Sequence, residues 1–149
     1  MVVKCVINSG KELPKEYFEI GYTPNSKIDL VEGRKYNVYG ICLWRSKLHY
    51  LLWDECNISV WYPCIMFSME DGSIPTSWQF RYINDADVYS VQAIFGYPEL
   101  AYSESHFAAL MELDKNALEI FSKRKNEIDL EIMESMERLE ERRRGQPPT

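Results

Sequence analysis

The sequence predicts an α+β fold: a small antiparallel β-sheet or barrel over residues 1–102, one long C-terminal α-helix over 103–144, and a disordered tail at 145–149. Three observations carry this reading. Short β-branched and aromatic runs alternate with turn residues as far as Pro98. From Ser103 no Gly or Pro occurs until Gly145, and Ala, Leu, Glu, Lys, Met and Arg dominate, all good helix formers. The ten Tyr, six Phe and four Trp lie almost entirely before position 108, which locates the core there. With 149 residues, 46% of them apolar, the chain suits one domain that needs neither disulfides nor metals to fold.

Taken in order, Val2–Ile7 reads as a first strand closed by the turn Asn8-Ser9-Gly10. A long connection follows, with a short helical piece around Pro14–Phe18. Val31–Lys35 turns into a meander of three strands, Lys35–Leu43, Leu48–Trp53 and Ile58–Tyr62, the last stopped by Pro63. Ile65–Met69 is a brief apolar stretch. Two more strands are expected at Trp78–Ile83 and Val88–Phe95, and Gly96-Tyr97-Pro98 is a turn. Ser103 or Ser105 caps the helix. Phe107, Leu110, Met111, Leu118, Phe121, Ile128, Ile132, Met136 and Leu139 then recur at helical spacing. Glu119–Lys123, Glu134–Arg138 and Glu140–Arg144 are set for i,i+4 pairing, and Arg142–Arg144 suit the negative end of the helix dipole. About 40 helical residues would extend roughly 60 Å, about twice the globule's reach. The helix must therefore break, at Lys123–Asn126, or project its far half.

Four segments carry a resemblance: KCVINSG at 4–10, LVEGRKYNVY at 30–39, HYLLWD at 49–54 and WYPCIMF at 61–67. Over residues 4–67 the chain resembles the small Src-homology-3-type (SH3-like) barrels of bacteria and phages. The resemblance implies that Gly33 opens a strand, Tyr36 and Val38 fill the barrel, Asp54 starts a loop and Phe67 forms a lid. It transfers no active site, because such barrels serve many functions.

Charge is unevenly spread. Residues 55–105 carry Arg81 alone against Glu55, Glu70, Asp71, Asp85, Asp87, Glu99 and Glu104, so this stretch holds the net charge of −6. Such a surface repels nucleic acid and steers a basic partner. The one basic patch is Arg34, Lys35, Arg45 and Lys47. No signal-peptide-like stretch or membrane-length apolar run occurs, so the expected address is the cytoplasm and no membrane partner is expected. Cys5, Cys42, Cys56 and Cys64 lack paired spacing and read as buried hydrophobes rather than zinc ligands.

His49, Asp54 and Cys56 are the one neighbouring set with thiol-triad chemistry, but they share a strand and a loop, with nothing to form an oxyanion hole. The plainer reading leaves His49 half-exposed, Cys56 under the loop and His106 on the surface. Asp85 with Asp87, and Glu70 with Asp71, read as solvated turns rather than a catalytic carboxylate pair. No phosphate-binding glycine loop or nucleophile elbow is present. No metal or cofactor is expected.

The expectation is thus a non-catalytic protein-binding protein. Its most concrete form is an immunity-type protein that neutralises a cognate bacterial toxin, such as a basic nuclease, through Trp61, Tyr62, Glu70, Asp71, Trp78, Asp85, Asp87 and Tyr89. Trp44 and Trp53 belong with Trp61, Tyr62, Trp78 and Tyr89 to the aromatic set that raises a binding reading, against the plainer reading that most of these rings are core. One alternative is a phage or mobile-element scaffold that self-associates, as a homodimer, through Ile128, Ile132, Met136 and Leu139. A second is an enzyme of unknown type, which requires a pocket with convergent polar groups.

Overall fold

The computed structural model of the protein describes residues 1–83 and 91–145. Among the described residues, eight strands form two antiparallel sheets. β1 (Val2–Cys5) is the centre of a three-stranded sheet, flanked by β2 (Lys35–Asn37) and β6 (Phe67–Asp71). The second sheet has five strands in the order β5-β4-β3-β8-β7, built from β3 (Gly40–Trp44), β4 (Lys47–Trp53), β5 (Ser59–Pro63), β7 (Gln79–Tyr82) and β8 (Val91–Gly96). Both sheets have two edges, so neither closes on itself.

The segment Lys35–Leu43, expected as one strand, serves both sheets. Tyr36 lies opposite Val3 in the small sheet and Ile41 opposite Tyr50 in the large one. Between them the chain changes partners: the Val38 amide donates to the Met1 carbonyl and the Tyr39 amide to the Leu51 carbonyl. β3 and β4 are joined by Arg45-Ser46, both at positive φ. That is the geometry of a tight hairpin turn usually given to Asn and Gly. The Ser46 amide is held by Gln92 Oε1 at 2.9 Å. At the other end of β4, buried Asp54 accepts hydrogen bonds from the Cys56 amide, the Ile58 amide and the Tyr62 hydroxyl, which ties the β4–β5 loop. The helical piece expected at Pro14–Phe18 is a 3₁₀ turn at Lys15–Ile20, and another at Cys64–Met66 leads into β6.

The C-terminal region is three helices. α1 (Pro98–Tyr102) begins with Pro98 in its first turn, where a missing amide hydrogen costs nothing. α2 (Glu104–Met111) is capped by Ser103, whose hydroxyl accepts from the His106 amide at 3.1 Å. The break falls at Glu112–Asp114, not at Lys123–Asn126. Leu113 adopts φ 57°, and Asp114 caps α3 (Lys115–Arg144) by accepting from the Asn116 and Ala117 amides. Residues 123–126 are continuous helix. α3 has 30 residues, about 45 Å of helix.

α1 sits close on the large sheet because Gly40 and Gly96 face it. A Cβ at Gly40 would lie 2.5 Å from Leu100 Cδ2, and one at Gly96 2.7 Å from the same atom. α3 covers the end of that sheet, with Phe121 stacked on Trp53 and edge-on to Tyr39. Three polar contacts fix it. Arg124 forks onto both carboxylate oxygens of Glu99, at 2.9 and 2.8 Å. Asp129 receives Asn37 Nδ2 at 2.9 Å and the Tyr39 hydroxyl at 2.6 Å. Glu131 receives the Thr76 amide at 2.9 Å.

Candidate functional site

The residues expected to form one binding face are divided among separate places. Tyr62 faces inward on β5, opposite Tyr50, and its hydroxyl donates to Asp54 at 3.0 Å. Trp78 is buried edge-on against Phe95 at 5.5 Å. Neither ring is at the surface, which corrects the expectation for both: alternation along β5 and the packing before β7 turn them into the core. Trp61 is half-buried against Phe107. Glu70 lies on the small sheet between Lys4 and Lys35, at 3.7 and 3.4 Å. Asp71 accepts from the Ser73 amide at 2.9 Å, and hydrogen bonding from Ser73 holds its carboxyl below the usual range. Asp85, Asp87 and Tyr89 lie outside the described residues.

A different aromatic group stands free. On edge strand β7, Phe80 is 57% and Tyr82 66% exposed, and beside them Tyr102 of α1 is 59% exposed. The Tyr102 hydroxyl donates to the Phe80 carbonyl at 2.9 Å, which joins α1 to the strand edge. Phe80 also rests edge-on against Phe95. Arg81 is drawn to Glu104 at 2.8 Å, so the charge beside these rings is neutralised locally. The alternation of Phe80 and Tyr82 along β7 is the signal in the sequence for this exposed face.

The thiol-triad reading fails on geometry. His49 is 2% exposed and its Nδ1 lies 2.9 Å from the Lys47 carbonyl, while Asp54 is occupied by Tyr62 and by two loop amides. His49 pairs with Pro63, and Cys56 lies beyond the Trp53–Ser59 pair, about 13 Å or more along the strand. Cys56 is exposed rather than packed under its loop. His106 is buried rather than on the surface, with Nε2 2.7 Å from the Tyr97 hydroxyl. Burial lowers the pKa of both histidines, so both are neutral near pH 7.

What the structure does bring together is His49 and Cys42, cross-strand neighbours on β4 and β3. They share the wall of a cavity of about 410 Å³ with Tyr22, Trp44, Trp61 and Phe107. Burial pushes the Cys42 thiol upward and the Tyr22 hydroxyl up to about 12, so neither ionises at neutral pH. A thiol kept protonated in this way is a poor nucleophile.

The expected self-association seam is also divided. Ile128 and Ile132 are buried against the body of the protein, held there by the Asp129 and Glu131 contacts, so they are not an open seam. Met136 and Leu139 continue the same helical stripe and remain half exposed.

Among the described residues, no group of three or more His, Cys, Asp or Glu side chains is set to hold a metal ion, and no helix is long and apolar enough to cross a membrane. Set against protein families, curated proteins and solved structures, the chain matches no family model, no curated protein and no solved structure.

Proposed function

We propose that this chain is a non-catalytic protein-binding protein that docks its partner on the β7 edge. The observation that carries the reading is the exposed trio Phe80, Tyr82 and Tyr102 on an open strand edge. Large exposed rings on an edge strand favour a protein partner, because aromatic side chains are prominent among the residues that carry interface energy. The net charge of −6 favours a basic partner, and Asp85 and Asp87 follow directly in sequence. The finer form is an immunity-type protein whose carboxylates take the place of nucleic-acid phosphates on a basic toxin. A cytoplasmic address suits it, supported by four free cysteines. The scaffold suits an SH3-like barrel core over residues 4–67, supported by the order of one strand, a long loop, a three-stranded meander, a 3₁₀ turn and a returning strand.

The test is capture from native host lysate at low and high salt, with the wild type and a Phe80→Ser/Tyr82→Ser double variant. The expected result is one basic protein, released by salt and lost from the double variant, whose melting temperature stays unchanged. Equal retention by the double variant would move the interface away from β7.

One observation favours a second reading, a self-associating scaffold. The last 12 residues of α3, 133–144, lie beyond its polar contacts with the body, and Met136 and Leu139 there are half exposed. A dimer in light scattering that dissociates on Leu139→Glu would support it.

A further inference from the structure

α3 runs on past the body it packs against. Every residue from 136 to 145 is exposed, so roughly three turns stand open on all sides. The stretch is nonetheless helical as far as Arg144. Most helical stability comes from packing an apolar face, and this end carries such a face, left open among the described residues. Met133, Met136 and Leu139 follow one another at steps of three, each about half exposed, where the buried positions Ile128 and Ile132 leave off.

The charges of this end select what fits the face. Residues 131–137 carry three Glu and no base, whereas residues 138–144 carry four Arg against two Glu. The sign changes between 137 and 138, which is also the midpoint of Met136 and Leu139. A partner of uniform charge, basic or acidic, is repelled by one half of the stretch. A second copy laid parallel sets Glu against Glu and Arg against Arg. Laid antiparallel about the shared midpoint, it sets Met136 against Leu139 and brings each Arg-rich turn beside Glu134 and Glu137 of the other copy. Arg142 then comes level with Met133, whose apolar surface its aliphatic stem can cover. The arrangement is two-fold symmetric, so it closes as a dimer rather than a filament.

We propose that the free end of α3 pairs antiparallel with the same segment of a second copy, about an axis between 137 and 138. The pairing rests on the self-association reading and gives it an orientation; the β7 edge takes no part. Each copy contributes about 21 Å of helix, short of a standard interface, so a dissociation constant in the micromolar range is expected.

The test measures the dimer dissociation constant of the full chain by analytical ultracentrifugation in low salt. Four forms are compared: the wild type, Arg142→Glu/Arg143→Glu, Glu134→Lys/Glu137→Lys, and the chain with all four changes. These positions are exposed, so the melting temperature and circular dichroism of the body should not move. Each double variant sets like charge against like across an antiparallel pair and should dimerise about tenfold more weakly. The fourfold variant exchanges the two charged halves and should return to within about threefold of the wild type. In a parallel pair every form sets like against like, so equal constants for all four would overturn the antiparallel arrangement while the self-association reading stands. Weakened double variants without rescue by the fourfold change would overturn the charge pairing. A wild type that stays monomeric at about 1 mM would overturn both readings and assign the stripe to a different protein.

Discussion

Ser46 shows how a single residue departs from its ordinary conformation here. Its φ of 62° is left-handed, and the cost is borne because its amide reaches Gln92 on β8. Ser46→Gly would relieve about 1–2 kcal/mol of steric cost and add about 0.5–1 kcal/mol of chain entropy loss. A net stabilisation of about 0.5 kcal/mol is expected in urea denaturation. Gly40 is the opposite case, since its missing side chain makes room for Leu100. Gly40→Ala should destabilise by about 1–3 kcal/mol through overpacking, read from the same experiment. His49 and His106 give stability a pH dependence. Both are lowered by burial, so the unfolded chain takes up protons near its ordinary value of 6.5 while the native state does not. Their contribution is complete above that value and falls as pH drops below it. Melting temperature should therefore decline from pH 7 to 5, and less steeply in His106→Gln. Neither burial was legible in sequence: a histidine flanked by Leu48 and Tyr50, or by Ser105 and Phe107, has neighbours typical of both core and surface.

Among the elements, α3 is the one whose sequence pattern and structure diverge most usefully. Its existence and the Ser103 cap before α2 were readable from composition and spacing. The break was not, because Glu112-Leu113-Asp114 contains neither Gly nor Pro, and Leu113 at φ 57° has no signature. Residues 123–126 suggested a break because charged groups interrupt the apolar stripe. Those charges have tertiary partners: Arg124 grips Glu99, and Lys125 pairs with Asp129 at 2.6 Å while lying over the Tyr39 and Trp53 rings. Arg124 holds the Glu99 carboxyl below its usual range. Arg124→Met should lower stability by about 1 kcal/mol in low salt and by less in 1 M salt, since the pair is partly exposed. The stripe itself has two energetic halves. Ile128→Ala should cost about 2–5 kcal/mol, and Leu139→Ala under about 0.5 kcal/mol, in thermal or urea denaturation.

At the scale of the whole molecule, the antiparallel pairing was legible, because alternation and turn residues act locally, but the strand count was not: six strands are expected from the sequence and eight are found among the described residues. The division into two sheets was not. It turns on Val38 and Tyr39 changing partners within a run whose side chains alternate without interruption, and backbone pairing leaves no mark in composition. The expected aromatic face is divided for a related reason. Trp61, Tyr62 and Trp78 are large rings in short strands, and which ring lies inside depends on which strands become edges. The acidic balance of the middle of the chain is a property of sequence alone; in the structure Glu55, Glu70, Glu99 and Glu104 are each paired with a basic side chain.

The hydrogen bond from Tyr39 to Asp129 joins residues 90 positions apart. On a ribosome adding about 5–20 residues per second, Tyr39 therefore waits roughly 5–20 s before its partner is made. Until Phe121 is made, the faces of Trp53 and Tyr39 that it covers are bare to solvent. The nascent chain thus passes through a sticky state that its own final helix ends.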